Sequence, residues 1–240
     1  KDDNLMVQWH HILLDAVGIS MVMQTFYSAL EGNQKSLEHN YHSFLNQESI
    51  KNIANTQSSS KECALYERVL TTEEKELLEE ITKNFKLSLQ DCFLLLSHNL
   101  FGTESLIGYT DNGLQCGIPG MFTFLNCSSY LKSTGTLEKN IESKETVSMV
   151  TNFMHTPDLP LSDINIESSK VKTCKYPYEL QIEVFEDKII LQFICEADNP
   201  ISADKVKQLF AHIDKLMDEK SFESLFKENS KDIHFDDFDF

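Results

Sequence analysis

Five consecutive apolar residues, Cys92-Phe93-Leu94-Leu95-Leu96, form the longest apolar run in the chain. The run is far shorter than the ~20 residues of a membrane-crossing helix. It lies in a segment that opens with Ser88-Leu89-Gln90-Asp91 and reads as a helix to about Phe101. That helix is apolar nearly all round, so it must be buried by the rest of the chain. The remaining 227 or so positions of a 240-residue chain are enough for one large domain or two small ones with real cores.

Helices and strands alternate along the sequence. Leu5, Val7 and Trp9 alternate with Met6, Gln8 and His10, the pattern of a half-buried strand. Met21, Val22, Met23, Phe26, Tyr27 and Leu30 then recur at helical spacing, with Ser20 as the N-cap. Asn46 to Ser60 is rich in Asn, Gln and Ser and reads as a linker between units at 1–45 and 61–225. Thr71-Thr72-Glu73-Glu74 is a capping box for a helix with Leu77, Leu78, Ile81 and Phe85 on one face. Leu106-Ile107-Gly108-Tyr109 is a short strand. Gly117, Pro119 and Gly120 mark a loop, and Met121 to Leu125 is another strand. Residues 137–155 read as a helix carrying Ile141, Val147, Val150 and Phe153, broken by His155-Thr156-Pro157-Asp158-Leu159-Pro160. The clearest hairpin runs through Leu180, Ile182 and Val184, turns at Glu186-Asp187-Lys188, and returns over Ile189–Cys195. Ser202 caps a last helix with Val206, Leu209, Phe210, Ile213, Leu216 and Met217 inward. Residues 226–240 form an acidic, Phe-studded tail or linker.

The net charge of −17 argues against nucleic acid and anionic membranes as partners, since both need a basic face. Only Arg68 among the 21 basic residues is arginine, so bidentate anion clamps are nearly absent. None of the six cysteines (Cys63, Cys92, Cys116, Cys127, Cys174, Cys195) has CxxC spacing, and no histidine pair has HExxH spacing. The expectation is buried thiols in a reducing cytoplasm, with no metal centre.

The run that carries chemistry is His10-His11-Ile12-Leu13-Leu14-Asp15-Ala16. A histidine takes and returns protons near neutral pH, and an aspartate four residues on can fix the loop or the ring. The histidines fall where the strand ends and a turn leads into a helix, a place from which catalytic side chains are commonly presented.

This run resembles the His-His-x-x-x-Asp-Gly signature of the condensation-domain superfamily, with Ala16 in place of the glycine. The order of the later segments is similar too. Gly120-Met121-Phe122-Thr123 stands where the family has a Gly-x-Phe-x-Asn loop, with Phe124 replacing the asparagine. His155 to Pro160 looks like the family's His-x-x-x-Pro segment. Pro177-Tyr178-Glu179-Leu180 and the hairpin look like its late strand pair, and Ile233 to Asp239 resembles the start of the linker that leaves such a domain.

The resemblance implies an α/β fold: a two-layer mixed-sheet sandwich, one chloramphenicol-acetyltransferase-like lobe, plus the end of a preceding lobe. It implies a condensation-type acyltransferase that makes an amide or ester from a carrier-bound acyl thioester. His11 would be the general base, with His10 and Asp15 structural beside it and Gly120 and Phe122 at the substrate tunnel. In the family the aspartate pairs with an arginine, and Arg68 is the one available here. No cofactor would be bound directly. The phosphopantetheine arm would come on a partner acyl or peptidyl carrier protein, and a first-lobe segment would be a further partner. Two other readings stay open: a catalytically silent condensation-like module that binds a carrier protein or scaffolds an assembly line, and an unrelated interaction domain in which HHILLD is incidental.

Overall fold

The computed structural model describes residues 16–30, 32, 54–111, 124–155, 173–199, 202–222 and 225. The strand expected over residues 5–10, most of the 46–60 stretch and the acidic tail lie outside the described residues. In chain order the elements are α1 (Ala16–Leu30), β1 (Cys63–Leu70), α2 (Thr72–Asn84), α3 (Leu89–Phe101), β2 (Ile107–Asp111), β3 (Phe124–Leu131), β4 (Thr136–Lys139), β5 (Met149–His155), β6 (Tyr178–Val184), β7 (Ile189–Glu196) and α4 (Ser202–Glu219).

The strands form one seven-stranded sheet in the order β1-β7-β6-β5-β2-β3-β4. β5 runs parallel to both β2 and β6, and every other neighbouring pair is antiparallel. Helices α2, α3 and α4 pack on one face of this sheet. Leu180, Ile182, Leu191 and Phe193 point into that layer and are fully buried, as are Leu94 and Leu96 of α3. Each such side chain contributes roughly 1.5–3 kcal/mol by leaving water. The result is a two-layer mixed α/β structure with the main core between helices and sheet.

Both internal helix starts follow from their capping chemistry. Thr71 Oγ1 accepts from the Glu74 amide at 3.3 Å, and Glu74 Oε2 accepts from the Thr71 amide at 2.8 Å. Ser88 and Asp91 repeat the arrangement at 3.1 and 3.0 Å, so two orphan donors are satisfied at each helix start. The hairpin pairs Leu180 with Phe193 and Val184 with Ile189, as the alternation requires.

Two expectations need correction. The helix over 137–155 is absent: Thr136–Lys139 is β4, paired to β3, and Met149–His155 is the parallel strand β5. Met149, Val150 and Thr151 are all buried, because β5 has protein on both faces. Such a strand lacks the two-residue alternation that marks a half-buried one. The first helix begins at Ala16 rather than after Ser20, so Gly18 and Ser20 lie within it. Of the strand expected at 121–125, Phe124 and Leu125 open β3, which continues to Leu131, and 121–123 lie outside the described residues. β1 is an addition, and its alternate residues Ala64 and Tyr66 pack on the core. Among the described residues no helix is long and apolar enough to cross a membrane.

Candidate functional site

Two features position a site on the sheet face away from the helices. The first is a row of polar side chains at one level. Glu67 on β1 lies opposite Gln192 on β7, which lies opposite Gln181 on β6, which lies opposite Asn152 on β5. Thr110 on β2 closes the row by donating from Oγ1 to Asn152 Oδ1 at 2.8 Å. Gln192 Nε2 donates to Glu67 Oε2 at 2.8 Å, and Gln181 Nε2 donates to Glu179 Oε1 at 3.0 Å. Each member alternates with a core residue, so the row follows from strand periodicity carried across five strands. Burial, and then the nearby carboxylate of Glu67, push the Glu183 carboxyl above its ordinary pKa. The face therefore offers amide donors, carbonyl and carboxylate acceptors, and a hydroxyl. One end of it is closed by a small second core, in which Ala54, Val147, Val150 and Cys127 pack together. Asn55 there pairs with Thr146, and the Ala54 amide donates to the Leu125 carbonyl at 2.7 Å.

The second feature is the direction of the parallel strands. β2 and β5 are neighbours and point the same way, so the chain leaves both from the same end of the sheet. From β2 it runs on in sequence to Gly120 and Phe122, and from β5 it runs on to Pro157 and Pro160. Ligand sites of open α/β sheets form at such carboxyl ends. α1 packs beside β5 and leaves Val22, Phe26 and Leu30 exposed along one side, at 37, 40 and 68%.

His10, His11, Asp15, Gly120 and Phe122 all lie outside the described residues. Ala16 is the first residue of α1. Arg68 is engaged elsewhere. Its guanidinium bonds Asp214 at 2.6 Å, Glu74 at 3.1 Å and the Phe210 carbonyl at 3.2 Å, fastening β1 to α2 and α4. Among the described residues no group of three or more His, Cys, Asp or Glu is placed to hold a metal ion.

A cavity of about 560 Å³ lies at the opposite end of β2, beside the C-terminus of α3. Its lining includes Asn99, Gly102, Ser105, Lys132, Gln208 and His212. Beside it Lys205 Nζ donates to the Leu100 carbonyl in the last turn of α3 at 3.1 Å, and Asn99 donates to the Leu225 carbonyl. That is the chemistry of a helix end.

The polar row was beyond sequence reading, because its members lie on five strands and meet only through register. His98 lies on α3, inside the main core. It is fully buried, with Nε2 bonded to Ser128 Oγ at 3.1 Å.

With this geometry in place, the chain can be set beside known proteins. No family model matches it, and no curated protein matches it by sequence. Solved structures do match. A condensation-domain structure concerned with chain release from the enacyloxin polyketide synthase aligns with a TM-score of 0.60 at 8% identity, over 90% of this chain and 57% of that one. PapA2 acyl transferase aligns at 0.58 and 12% identity, over 88% and 64%. VibH, an NRPS condensation enzyme, aligns at 0.58 and 12% identity, over 93% and 68%. The fold is thus one of helices layered on a mixed sheet. It is, more specifically, the fold shared by condensation domains and their acyltransferase relatives. The chain spans less than two thirds of the length of the first two of these structures.

Proposed function

We propose that this chain carries the catalytic turn and second lobe of a condensation-type acyltransferase, acting in nonribosomal peptide or related biosynthesis in the cytoplasm. The observation that supports the reading best is the placement of α1. It opens one residue after Asp15 of the HHxxxD run and packs beside β5, whose parallel neighbour is β2, and these two strands lead toward Gly120 and Phe122 and toward Pro157 and Pro160. The three segments that carry the resemblance are thus joined in sequence to α1, β2 and β5, elements that neighbour one another.

In this reading His11, as neutral imidazole, takes the proton of an amine or alcohol nucleophile. The nucleophile attacks the thioester carbonyl of an acyl group on the phosphopantetheine arm of a carrier protein. The carbon–sulfur bond breaks, the thiol leaves protonated, and an amide or ester remains. His10 stands as a structural neighbour, Asp15 organises the turn, and Gly120 and Phe122 line the tunnel. The exposed stripe Val22, Phe26 and Leu30 suits a first-lobe segment as partner.

The test is His11→Ala in the complete protein, assayed for condensation of an acyl-carrier thioester. Turnover is expected to fall ~10²–10⁴-fold with folding intact. Undiminished turnover in a folded variant overturns the acyltransferase reading. The second reading, a silent module that binds a carrier protein, is favoured by Phe124 in place of the family asparagine. It predicts carrier binding without turnover in the unaltered protein.

A further inference from the structure

Three cysteines converge where β1 begins. Glu62 pairs antiparallel with Thr173, and the Cys174 amide donates to the Lys61 carbonyl at 2.9 Å. Cys174 therefore lies opposite Lys61. Because alternate residues of a strand share a face, it also lies on the same side of this pairing as Cys63. The Cys63 thiol is near enough to the Cys174 thiol to raise its pKa. Cys195 approaches from the other face. It pairs with Ala64, joins the core under the helices, and directs Sγ toward the Ala64 carbonyl at 3.9 Å. Cys174 is 2% exposed and Cys195 is fully buried, whereas Cys63 is half-buried and within reach of a small reagent. No disulfide joins them.

We propose that Cys63 and Cys174 form an oxidative modification site: a thiol pair that a small disulfide oxidant, such as oxidised glutathione, converts to an intramolecular disulfide between the start of β1 and the segment entering β6. Cys63 deprotonates and attacks one sulfur of oxidised glutathione, breaking its S–S bond and releasing one glutathione thiolate. Cys174 then gives its proton to solvent and attacks the Cys63 sulfur of the mixed disulfide, releasing the second glutathione. Two cysteine thiols are oxidised, one glutathione disulfide is reduced to two thiols, and the two protons pass to the leaving thiolates.

The surroundings set the order of these steps. Burial and the neighbouring Cys63 and Cys195 push the Cys174 thiol up to about 12. It is thus a poor first nucleophile, and the half-buried Cys63 attacks the oxidant first. The same burial does not oppose the product, because a disulfide carries no charge. In a reducing pool the pair rests as thiols, and it closes when the poise becomes oxidising. The bond would fix the pairing of Glu62 with Thr173 and hold the entrance of β6 against the sheet edge. It would also close a loop of more than a hundred residues, so the oxidised protein should melt several degrees higher.

The experiment incubates the 240-residue chain with oxidised glutathione, blocks the remaining thiols and maps tryptic peptides without reduction. Cleavage after Lys61, Arg68, Lys172 and Lys175 predicts one linked product, residues 62–68 joined to residues 173–175. Cys174→Ser should instead accumulate glutathione on Cys63, Cys63→Ser should leave Cys174 unmodified, and Cys195→Ser should keep the link. Circular dichroism establishes that each variant is folded. A link from either residue to Cys195 or Cys116, or only a stable glutathione adduct on Cys63 of the unaltered chain, overturns the proposal.

Discussion

Mild acid attacks this fold at His98. The side chain is fully buried on α3, and Nε2 donates to Ser128 Oγ, which in turn donates to the Ile107 carbonyl at 3.0 Å. Burial lowers its pKa from 6.5 to about 4, against a smaller opposing effect of the Ser105 backbone. Between those values the folded protein keeps the ring neutral while the unfolded chain binds a proton. The stability from this group is therefore complete above pH 6.5 and is lost as pH falls toward 4. The slope approaches about 1.4 kcal/mol per pH unit, and the cumulative loss reaches about 2.5 kcal/mol by pH 4.5. Against a typical stability of roughly 5–15 kcal/mol that is a large share. Carboxylates also titrate in this range, so the measurement must be a difference. His98→Gln keeps a donor for Ser128 and removes the titration. Urea unfolding of both proteins near pH 7.5, 6.0 and 4.5 gives their stability gap at each pH. The gap should favour the unaltered protein near neutrality and shrink by about 2.5 kcal/mol at the acid end. A gap that stays constant across the range would refute the claim that the folded core holds His98 neutral.

Other expectations are simpler to check. Arg68→Met leaves Asp214 and Glu74 without their shared partner and should cost about 2 kcal/mol in urea unfolding, with an unchanged midpoint counting against the fastening role. Thr71→Ala and Ser88→Ala each remove half of a capping box and should each cost about 1 kcal/mol, and the double variant should cost the sum. A Cβ at Gly108 would stand 3.1 Å from Val147 Cγ2 and 3.5 Å from the Met149 carbonyl oxygen. Gly108→Ala should be tolerated with a small shift of Val147. Gly108→Val should cost about 1–3 kcal/mol, and equal thermal melts for the two variants would show that the space is larger than it looks.

Local chemistry was legible in the sequence, and long-range chemistry was not. The capping boxes at Thr71 and Ser88 and the hairpin at 180–195 are encoded within a few residues, and all three are present. β1 escaped notice because its outer face carries Leu65 and Val69 while its inner face carries Arg68, which blurs the alternation. β5 was read as a helix because burial on both sides erased its period. Arg68 looked available for the motif aspartate because nothing local reveals Asp214, brought near it by a helix at the far end of the chain. The polar row could not be read for the same reason, since register across five strands is a property of the finished sheet. The ordered HHxxxD, Gly-x-Phe and hairpin segments nevertheless pointed to the right fold, because sequential order survives where spacing and identity do not.

The pairing of β1 also has a temporal side. Residues 63–70 find all their ladder partners in residues 189–196. A ribosome adding ~5–20 residues per second leaves β1 without its neighbour for on the order of ten seconds. During that interval Leu65 and Val69 belong to an unpaired strand that can meet the same strand of another nascent chain. Slower translation lengthens this exposure and faster translation shortens it, so the yield of soluble protein should track elongation speed between codons 70 and 196 more closely than it tracks speed before or after them.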